Sequence, residues 1–118
     1  MKNIQKKLVC VYVNEGDKWR DRPMYLEILK LLKREGLSGG TVLRAIAGFT
    51  AGGGVHTISL VDATGKLPLV VQFVDTEEKI GHVLLKIREM VPERLITIED
   101  VEVLPLENEP ASGSTWSD

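Results

Sequence analysis

Residues 39–56 read GGTVLRAIAGFTAGGGVH, and the rest of the chain is organised around this stretch. Its first half, Thr41 to about Ala47, has the apolar content of a β-strand, with one charge, Arg44, inside the apolar run. Its second half is rich in glycine, the residue that loses the most backbone entropy on folding, and is expected to be a loop. The pattern indicates a small scaffold that presents a functional loop, a common arrangement in proteins.

The elements on both sides of this stretch follow the order strand, helix, strand, strand, helix, strand. Right-handed crossovers convert this order into an α+β fold, the ferredoxin-like βαββαβ arrangement, with two helices on one face of a four-stranded antiparallel sheet. The opposite face would then expose valines and leucines, which predicts self-association through that face. The predicted strands are residues 7–13, 41–47, 69–74 and 95–104, and the predicted helices are residues 23–35 and 76–91.

Local signals refine these boundaries. Pro23 fits the first turn of the first helix, and Gly36 fits the position just past its end. Asp75 with Glu78 three residues later predicts a capping box for the second helix. Apolar residues of the last strand change parity, from 96 and 98 to 101 and 103, which predicts a bulge near Glu99 and Asp100. Within the long connection 48–66, residues 56–60 alternate like a short strand.

Composition bounds the function. The 118 residues carry a formal net charge of −2 and only 5% aromatic side chains, which argues against nucleic-acid binding. The lone Cys10 has no disulfide partner, and no apolar run approaches the ~18 residues of a membrane span. With no signal-peptide core at its start, the chain is expected to be cytoplasmic. We expect one domain at residues 1–106 and a flexible tail at 107–118.

Catalytic and metal-binding patterns are weak in this sequence. The two histidines, His56 and His82, have no H-x-x-x-H spacing and no cysteine beside them, and no G-x-S-x-G occurs. The chain is therefore not expected to be an enzyme. The glycine loop with Arg44 is the remaining candidate, because exposed backbone N–H groups and a guanidinium bind phosphate. The alternative is that Arg44 pairs with Glu15 or Glu99 of a neighbouring strand, and the sequence alone leaves both interpretations open.

Several short stretches carry a resemblance to a known family. They are residues 15–17, 23–25, 41–49, 56–57, 67–71 with 74–75, and 97–101, which read EGD, PMY, TVLRAIAGF, HT, LPLVV with VD, and TIEDV. On these residues the chain from Lys7 to Leu106 resembles a family of small PII-like proteins, relatives of the nitrogen-signalling PII trimers. The run from Arg44 to Phe49 is the most specific part of the resemblance.

The resemblance implies a homotrimer that packs its open sheet faces inward and binds an adenine nucleotide in clefts between subunits. It also implies that residues 48–66 form the mobile loop that contacts a protein target. A membrane channel or transporter is one such target, since genomic context links this family to fluoride-exporting channels. No cofactor is required, and AMP, ADP or ATP would act as the effector. The resemblance implies that Arg44, Gly48 and Phe49 lie near the cleft. The further candidates for ligand binding are Glu15, Gly52, Gly53, Gly54 and His56.

This chain departs from the family pattern in two places. Ala45 stands where the family often has glycine, and the triple glycine at 52–54 is expected to make the loop looser than in many members. In addition, the lysine and arginine set with which PII proteins hold ATP phosphates is not visible. Two rival functions stay open at this point. One is a metal-tolerance trimer of the CutA kind, with His56 contributing to a site between subunits. The other is a hydrolase of a small phosphorylated metabolite.

Overall fold

Two helices pack on one face of a four-stranded antiparallel sheet, as the sequence predicts for a ferredoxin-like α+β fold. The computed structural model describes residues 2–49, the backbone of residues 56 and 57, and residues 67–107. The strand order in the sheet is β4-β7-β1-β8. The elements are β1 (Ile4–Asn14), β2 (Lys18–Trp19), β3 (Arg22–Pro23), α1 (Met24–Arg34), β4 (Thr41–Arg44), β5 (Ala47–Gly48), β6 (His56–Thr57), β7 (Pro68–Asp75), α2 (Glu77–Met90) and β8 (Ile96–Val103).

The core lies between this sheet and the helices. Because side chains alternate along a strand, the odd-numbered residues of β1 and β7 point towards the helices and the even-numbered ones point away. Each fully buried aliphatic side chain contributes roughly 1.5–3 kcal/mol relative to an exposed one. The buried set comprises Val9, Val11 and Val13 of β1, Leu69, Val71 and Phe73 of β7, Met24, Ile28, Leu31 and Leu32 of α1, and Ile80, Val83 and Ile87 of α2.

The opposite face of the sheet, which we call the open face, has no helix over it among the described residues. Leu8 and Tyr12 of β1 and Val70 and Val74 of β7 are half-buried there, and none of them belongs to the core cluster. The sequence predicts such an apolar face, and the structure confirms that it lies opposite the helices. Coverage of this face by other copies of the chain stays a prediction.

The second strand is shorter than predicted. The sequence predicts a strand over residues 41–47, but β4 ends at Arg44. Ala45 adds one further hydrogen bond, from its N–H to the carbonyl oxygen of Pro68 at 3.0 Å. Ala47 and Gly48 then leave the sheet and pair with Thr57 and His56 in a separate two-stranded ladder. The predicted short strand at 56–60 is confirmed at 56 and 57, while residues 58–60 lie outside the described part.

The predicted bulge near Glu99 and Asp100 is wrong. The register between β1 and β8 is continuous from Ile4 opposite Val103 to Val11 opposite Ile96. The change of parity has another cause, because β8 carries apolar residues on both faces of the sheet. Ile96 packs against the core on the helix side, and Val101 and Val103 have the parity of the open face.

Helix boundaries also differ in detail from expectation. Pro23 is the N-cap residue of α1, and its strand β3 closes a two-residue hairpin with β2 in which Arg20 and Asp21 have positive φ angles of 51° and 66°. The sequence analysis missed this hairpin because its turn lacks the glycine or asparagine that usually marks such backbone. Gly36 has φ +80° just past α1, as predicted.

The cap of α2 is Thr76 and not Asp75, since the Thr76 hydroxyl accepts the N–H of Lys79 at 3.2 Å. Asp75, the residue before this cap, has a different structural role, because it is a charged residue that is only 2% exposed. It accepts the N–H and the hydroxyl of Ser38, both at 2.8 Å, and the N–H of Thr76 at 2.8 Å. Burial acts to raise the pKa of Asp75, but these hydrogen bonds outweigh burial and the net pKa is lowered.

We predict that Asp75→Asn lowers the free energy of unfolding by about 1–3 kcal/mol, because the amide NH2 opposes one of the N–H donors. Asp100→Asn is the matched control, since Asp100 is an exposed carboxylate paired with Lys7. Denaturant unfolding at one fixed protein concentration measures both. An equal loss in the two variants would contradict the role assigned to Asp75.

The same carboxylate predicts the direction of acid destabilisation. A group whose folded pKa is lowered stabilises the protein above its unfolded pKa, about 3.9 for Asp, and loses that contribution as the pH falls through the folded pKa. The wild-type protein should therefore lose more stability than Asp75→Asn when the pH falls from about 5 to 3.

Candidate functional site

The turn that follows β1 lies between two arginines. Glu15, at its start, donates its N–H to the carbonyl oxygen of Leu67 at 2.8 Å, which joins the turn to the entry of β7. The Glu15 carboxylate faces the guanidinium of Arg44, at the end of β4, with 3.2 Å between Oε1 and Nη2. The Arg44 side chain is 46% exposed and the Glu15 side chain 29%. This pair is therefore accessible from solvent and open to exchange of partners.

Asp17, two residues later, binds the second arginine. Its carboxylate accepts both Nε and Nη2 of Arg94 at 2.8 and 2.7 Å, and it also accepts the N–H of Asn14 at 3.0 Å. Its carbonyl oxygen accepts the N–H of Met24, the first residue of α1, at 2.8 Å. Both members of the ion pair are mostly buried, at 20% and 24% exposure. Asp17 thus joins β1, α1 and the connection between α2 and β8.

Sequence analysis did not single out Arg94 as a functional residue. Asp17 and Arg94 are 77 positions apart, and no local spacing connects them. The two-pronged geometry appears only when the chain is folded, because the end of β1 and the segment before β8 then lie side by side. A depression of about 560 Å³ opens beside this pair, lined by Asp17, Lys18, Met24 and residues 90–94.

The predicted site residues of the glycine stretch lie near the start of β7. Gly48 is paired with His56, and a Cβ placed on Gly48 would come within 3.2 Å of the Pro68 ring. This close approach to Pro68 gives a packing reason for glycine at position 48. Phe49, the next residue, is 67% exposed, and Ile46 is 78% exposed. Gly52, Gly53 and Gly54 lie outside the described residues, as does the side chain of His56.

The structure therefore brings together part of the predicted set. Glu15 and Arg44 are in direct contact, and Gly48 and His56 are paired on the backbone. Both groups lie next to Pro68. The N–H of Ala45, the residue after Arg44, donates to the carbonyl oxygen of Pro68, and Gly48 packs against the Pro68 ring. Of the two interpretations that the sequence left open for Arg44, its pairing with Glu15 is confirmed, and Glu99 lies on the far side of β1.

Phosphate binding and pairing with Glu15 do not exclude each other for Arg44. A guanidinium presents a planar fork to a carboxylate and can present the same fork to a phosphate oxygen pair.

Within residues 2–49 and 67–107, no group of three or more His, Cys, Asp or Glu side chains is placed to hold a metal ion. His82 is exposed on α2. None of the described helices is both long and apolar enough to cross a membrane.

Comparison with known proteins identifies the family. The family model DUF190, described as Uncharacterized ACR, matches residues 6–103. A UPF0166 protein of Methanocaldococcus jannaschii is 40% identical over 101 residues, which cover 85% of this chain and 93% of the relative. A UPF0166 protein of Aquifex aeolicus is 38% identical over 106 residues, or 90% of this chain and all of the relative.

Solved structures give the fold relationship. The structure of CPII, a nitrogen regulatory PII-like protein from Thiomonas intermedia K12 bound to ADP, AMP and bicarbonate, superposes with a TM-score of 0.65. The superposition covers 89% of this chain and 99% of CPII at 16% sequence identity, so it establishes a shared fold. The match over residues 6–103 and the relatives at 38% and 40% identity show that the chain belongs to the DUF190 family, and the superposition shows that it shares the ferredoxin-like fold of the PII-like protein CPII.

Proposed function

We propose that this protein is a PII-like regulator, without enzymatic activity, that assembles as a homotrimer and binds an adenine nucleotide between subunits. The observation that carries the proposal is the half-exposed Arg44–Glu15 pair at the sheet end, next to the start of the 48–66 connection, in a fold shared with an ADP- and AMP-bound PII-like protein. Bound nucleotide would change the order of the 48–66 connection, which would then bind or release a protein target.

Arg44 is the proposed phosphate ligand in this scheme. Its guanidinium is 46% exposed and its partner Glu15 is a carboxylate, the group whose geometry a phosphate reproduces. An arriving phosphate would take the place of Glu15 on the guanidinium. Because Glu15 is negatively charged, it also opposes the binding of each additional phosphate, which favours AMP or ADP over ATP.

The open face supports the proposed assembly. It presents half-buried Leu8, Tyr12, Val70 and Val74 on the central strands, next to Leu43, which is 48% exposed. Apolar side chains so exposed in one chain are stabilised when another surface removes them from water. An assembly that places these faces inward would leave the ends of β1 and β4, with Glu15 and Arg44, at the rim between neighbouring subunits.

The nucleotide part is tested by thermal unfolding of the full chain with AMP, ADP, ATP and divalent metals. A ligand at a hundred times its dissociation constant adds about 2.7 kcal/mol per site. We expect an adenine nucleotide to raise the unfolding temperature, and we expect Arg44→Ala to weaken the binding of that nucleotide at least tenfold. Arg34→Ala is the matched control, since Arg34 is an exposed arginine at the last turn of α1. A shift with copper or zinc and none with nucleotides would overturn the proposal in favour of a metal-binding trimer.

The variant Glu15→Gln distinguishes two possible roles of the Glu15 carboxylate, which are repulsion of additional phosphates and direct binding of the nucleotide. If Glu15 opposes added phosphates, this variant should bind ATP more tightly relative to AMP than the wild-type protein does. Isothermal titration with both nucleotides gives the two dissociation constants. A loss of both affinities would show that the carboxylate itself holds the nucleotide.

The assembly part is tested by sedimentation equilibrium. We expect a mass three times the 13.1 kDa of the chain. Leu8→Glu should dissociate the trimer, because it places a charge on the covered face. Leu85→Glu should leave the mass unchanged, because Leu85 is 77% exposed on the helix layer. Equal masses for the two variants would place the interface elsewhere.

The loop part is tested by limited proteolysis. Glycine-rich sequence in the 48–66 connection supports an order–disorder response to ligand, which requires the ligand to bind the ordered state better. We expect cleavage between residues 48 and 66 to slow at least tenfold with saturating nucleotide. Cleavage elsewhere in the chain is the internal control. Equal cleavage with and without a nucleotide that stabilises the fold would overturn this part alone.

A further inference from the structure

A row of uncharged polar residues crosses the middle of the open face from one edge of the sheet to the other. The strand registers place Thr41 of β4 opposite Gln72 of β7, Gln72 opposite Cys10 of β1, and Cys10 opposite Thr97 of β8. All four positions have the parity that points away from the helices. We call this set the polar row.

Apolar side chains border the polar row on both sides. Two residues further along the strands, in the direction of Arg44, lie Leu43, Val70 and Tyr12 in one line across the sheet. In the opposite direction lie Val74 and Leu8. The polar row is therefore enclosed within the apolar part of the face, so whatever covers the apolar residues also covers Gln72.

Gln72 is the member of the row with the largest hydrogen-bonding capacity, and most of that capacity is unused. Its amide nitrogen donates to Sγ of Cys10 at 3.8 Å, and this weak contact is its only hydrogen bond within the described residues. A primary amide has two N–H donors and a carbonyl acceptor. Cys10 is itself buried, at 8% exposure, and a thiol is a poor acceptor. Most of the hydrogen-bonding capacity of Gln72 is thus left for water or for a partner.

The chemistry of the row indicates what kind of partner covers it. An amide and hydroxyls each contain donors and acceptors, so one such row complements a second copy of itself. Between Leu8 and Tyr12 of β1, and on β4 and β7, the open face carries no charged side chain; Lys6 of β1 and Glu99 of β8 lie at its margin. A partner selected by charge complementarity would require the opposite. The surface therefore fits another copy of this chain.

We propose that the polar row fixes the register in which identical subunits pack their open faces, with Gln72 of each copy hydrogen-bonded to the row of its neighbour. This inference rests on the proposed trimer and deepens it. In a ring of identical subunits, each residue lies at the same height along the axis as its copies, so Gln72 near the middle of the face meets the equivalent row. A polar group within an apolar seam specifies this one closed packing, because an arrangement in which the faces are rotated against each other or shifted out of the ring leaves Gln72 without a partner.

Two substitutions at one position test the inference by sedimentation equilibrium over a range of concentrations at pH 7.5. Gln72→Leu keeps an apolar face but removes the polar contact, and we expect it to associate with more than one mass. Gln72→Glu keeps the shape but introduces a charge, and we expect the concentration for half-assembly to rise at least tenfold. At pH 5 the new carboxyl, which titrates above about 4.3 when covered, should regain part of the lost assembly.

Gln5→Glu is the matched control, because Gln5 is an exposed glutamine at the start of β1, away from the row. Far-UV circular dichroism of each variant verifies the fold. A single species of wild-type mass for Gln72→Leu would overturn the inference, as would equal assembly of Gln72→Glu and Gln5→Glu. A monomeric wild-type protein would overturn it together with the proposed trimer, whereas nucleotide binding is decided separately by the thermal experiment.

Discussion

The architecture depends on one constraint, which is that β1 is paired on both edges but, within the part of the chain that the structure describes, packs into a hydrophobic core on one face only. Both neighbours of β1 are antiparallel to it, in continuous registers from Lys7 to Asn14 with β7 and from Ile4 to Val11 with β8. Its odd-numbered valines are completely buried beneath the helices. Its even-numbered residues lie on the open face, over which no helix lies among the described residues.

The central position of β1 also determines the chemistry at the end of the sheet. The turn that follows it is bounded by β4 on one side and by the segment preceding β8 on the other. Glu15 therefore meets Arg44, and Asp17 meets Arg94, although each pair is distant in sequence. The two pairs differ in accessibility, since the Asp17–Arg94 pair is mostly buried and bidentate and the Glu15–Arg44 pair is half-exposed. The first pair suits a structural role, and the second is the pair at which we propose that a phosphate replaces the carboxylate.

The two faces of the sheet specify different things. The helix side is closed by aliphatic packing and needs no partner. The open side combines apolar lines with a polar row in their midst, and the low polarity of its surroundings makes the correct partner for Gln72 matter more once the face is covered. A covered open face would bring the rims of neighbouring subunits together near Arg44, so the proposed assembly and the proposed nucleotide site share one geometric origin.

Much of this architecture could be predicted from the sequence, because it depends on local periodicity. The order of the elements, the buried face of α1 and the glycine after it follow from the spacing of apolar residues and from backbone preference. The resemblance, most specific on the run from Arg44 to Phe49, indicated the PII-like family, and it implied Arg44 and Glu15 as candidate site residues. The wrong helix cap and the wrong strand end have one cause. Each depends on which backbone groups are already bonded, and a difference of one or a few residues at the end of an element leaves the apolar pattern almost unchanged.

Only the tertiary structure decided which distant residues meet. Nothing local to Asp75 indicates that its carboxylate is bonded to Ser38, so the sequence assigned it to the cap that Thr76 forms. The parity change in β8 could be interpreted as a bulge until the register showed apolar residues on both faces. The sequence did not indicate the Asp17–Arg94 pair or the polar row for the same reason. Hydrogen-bond partners across a sheet are set by strand order and register, which arise from the packing of the whole chain, whereas the type and order of the elements arise from its local pattern.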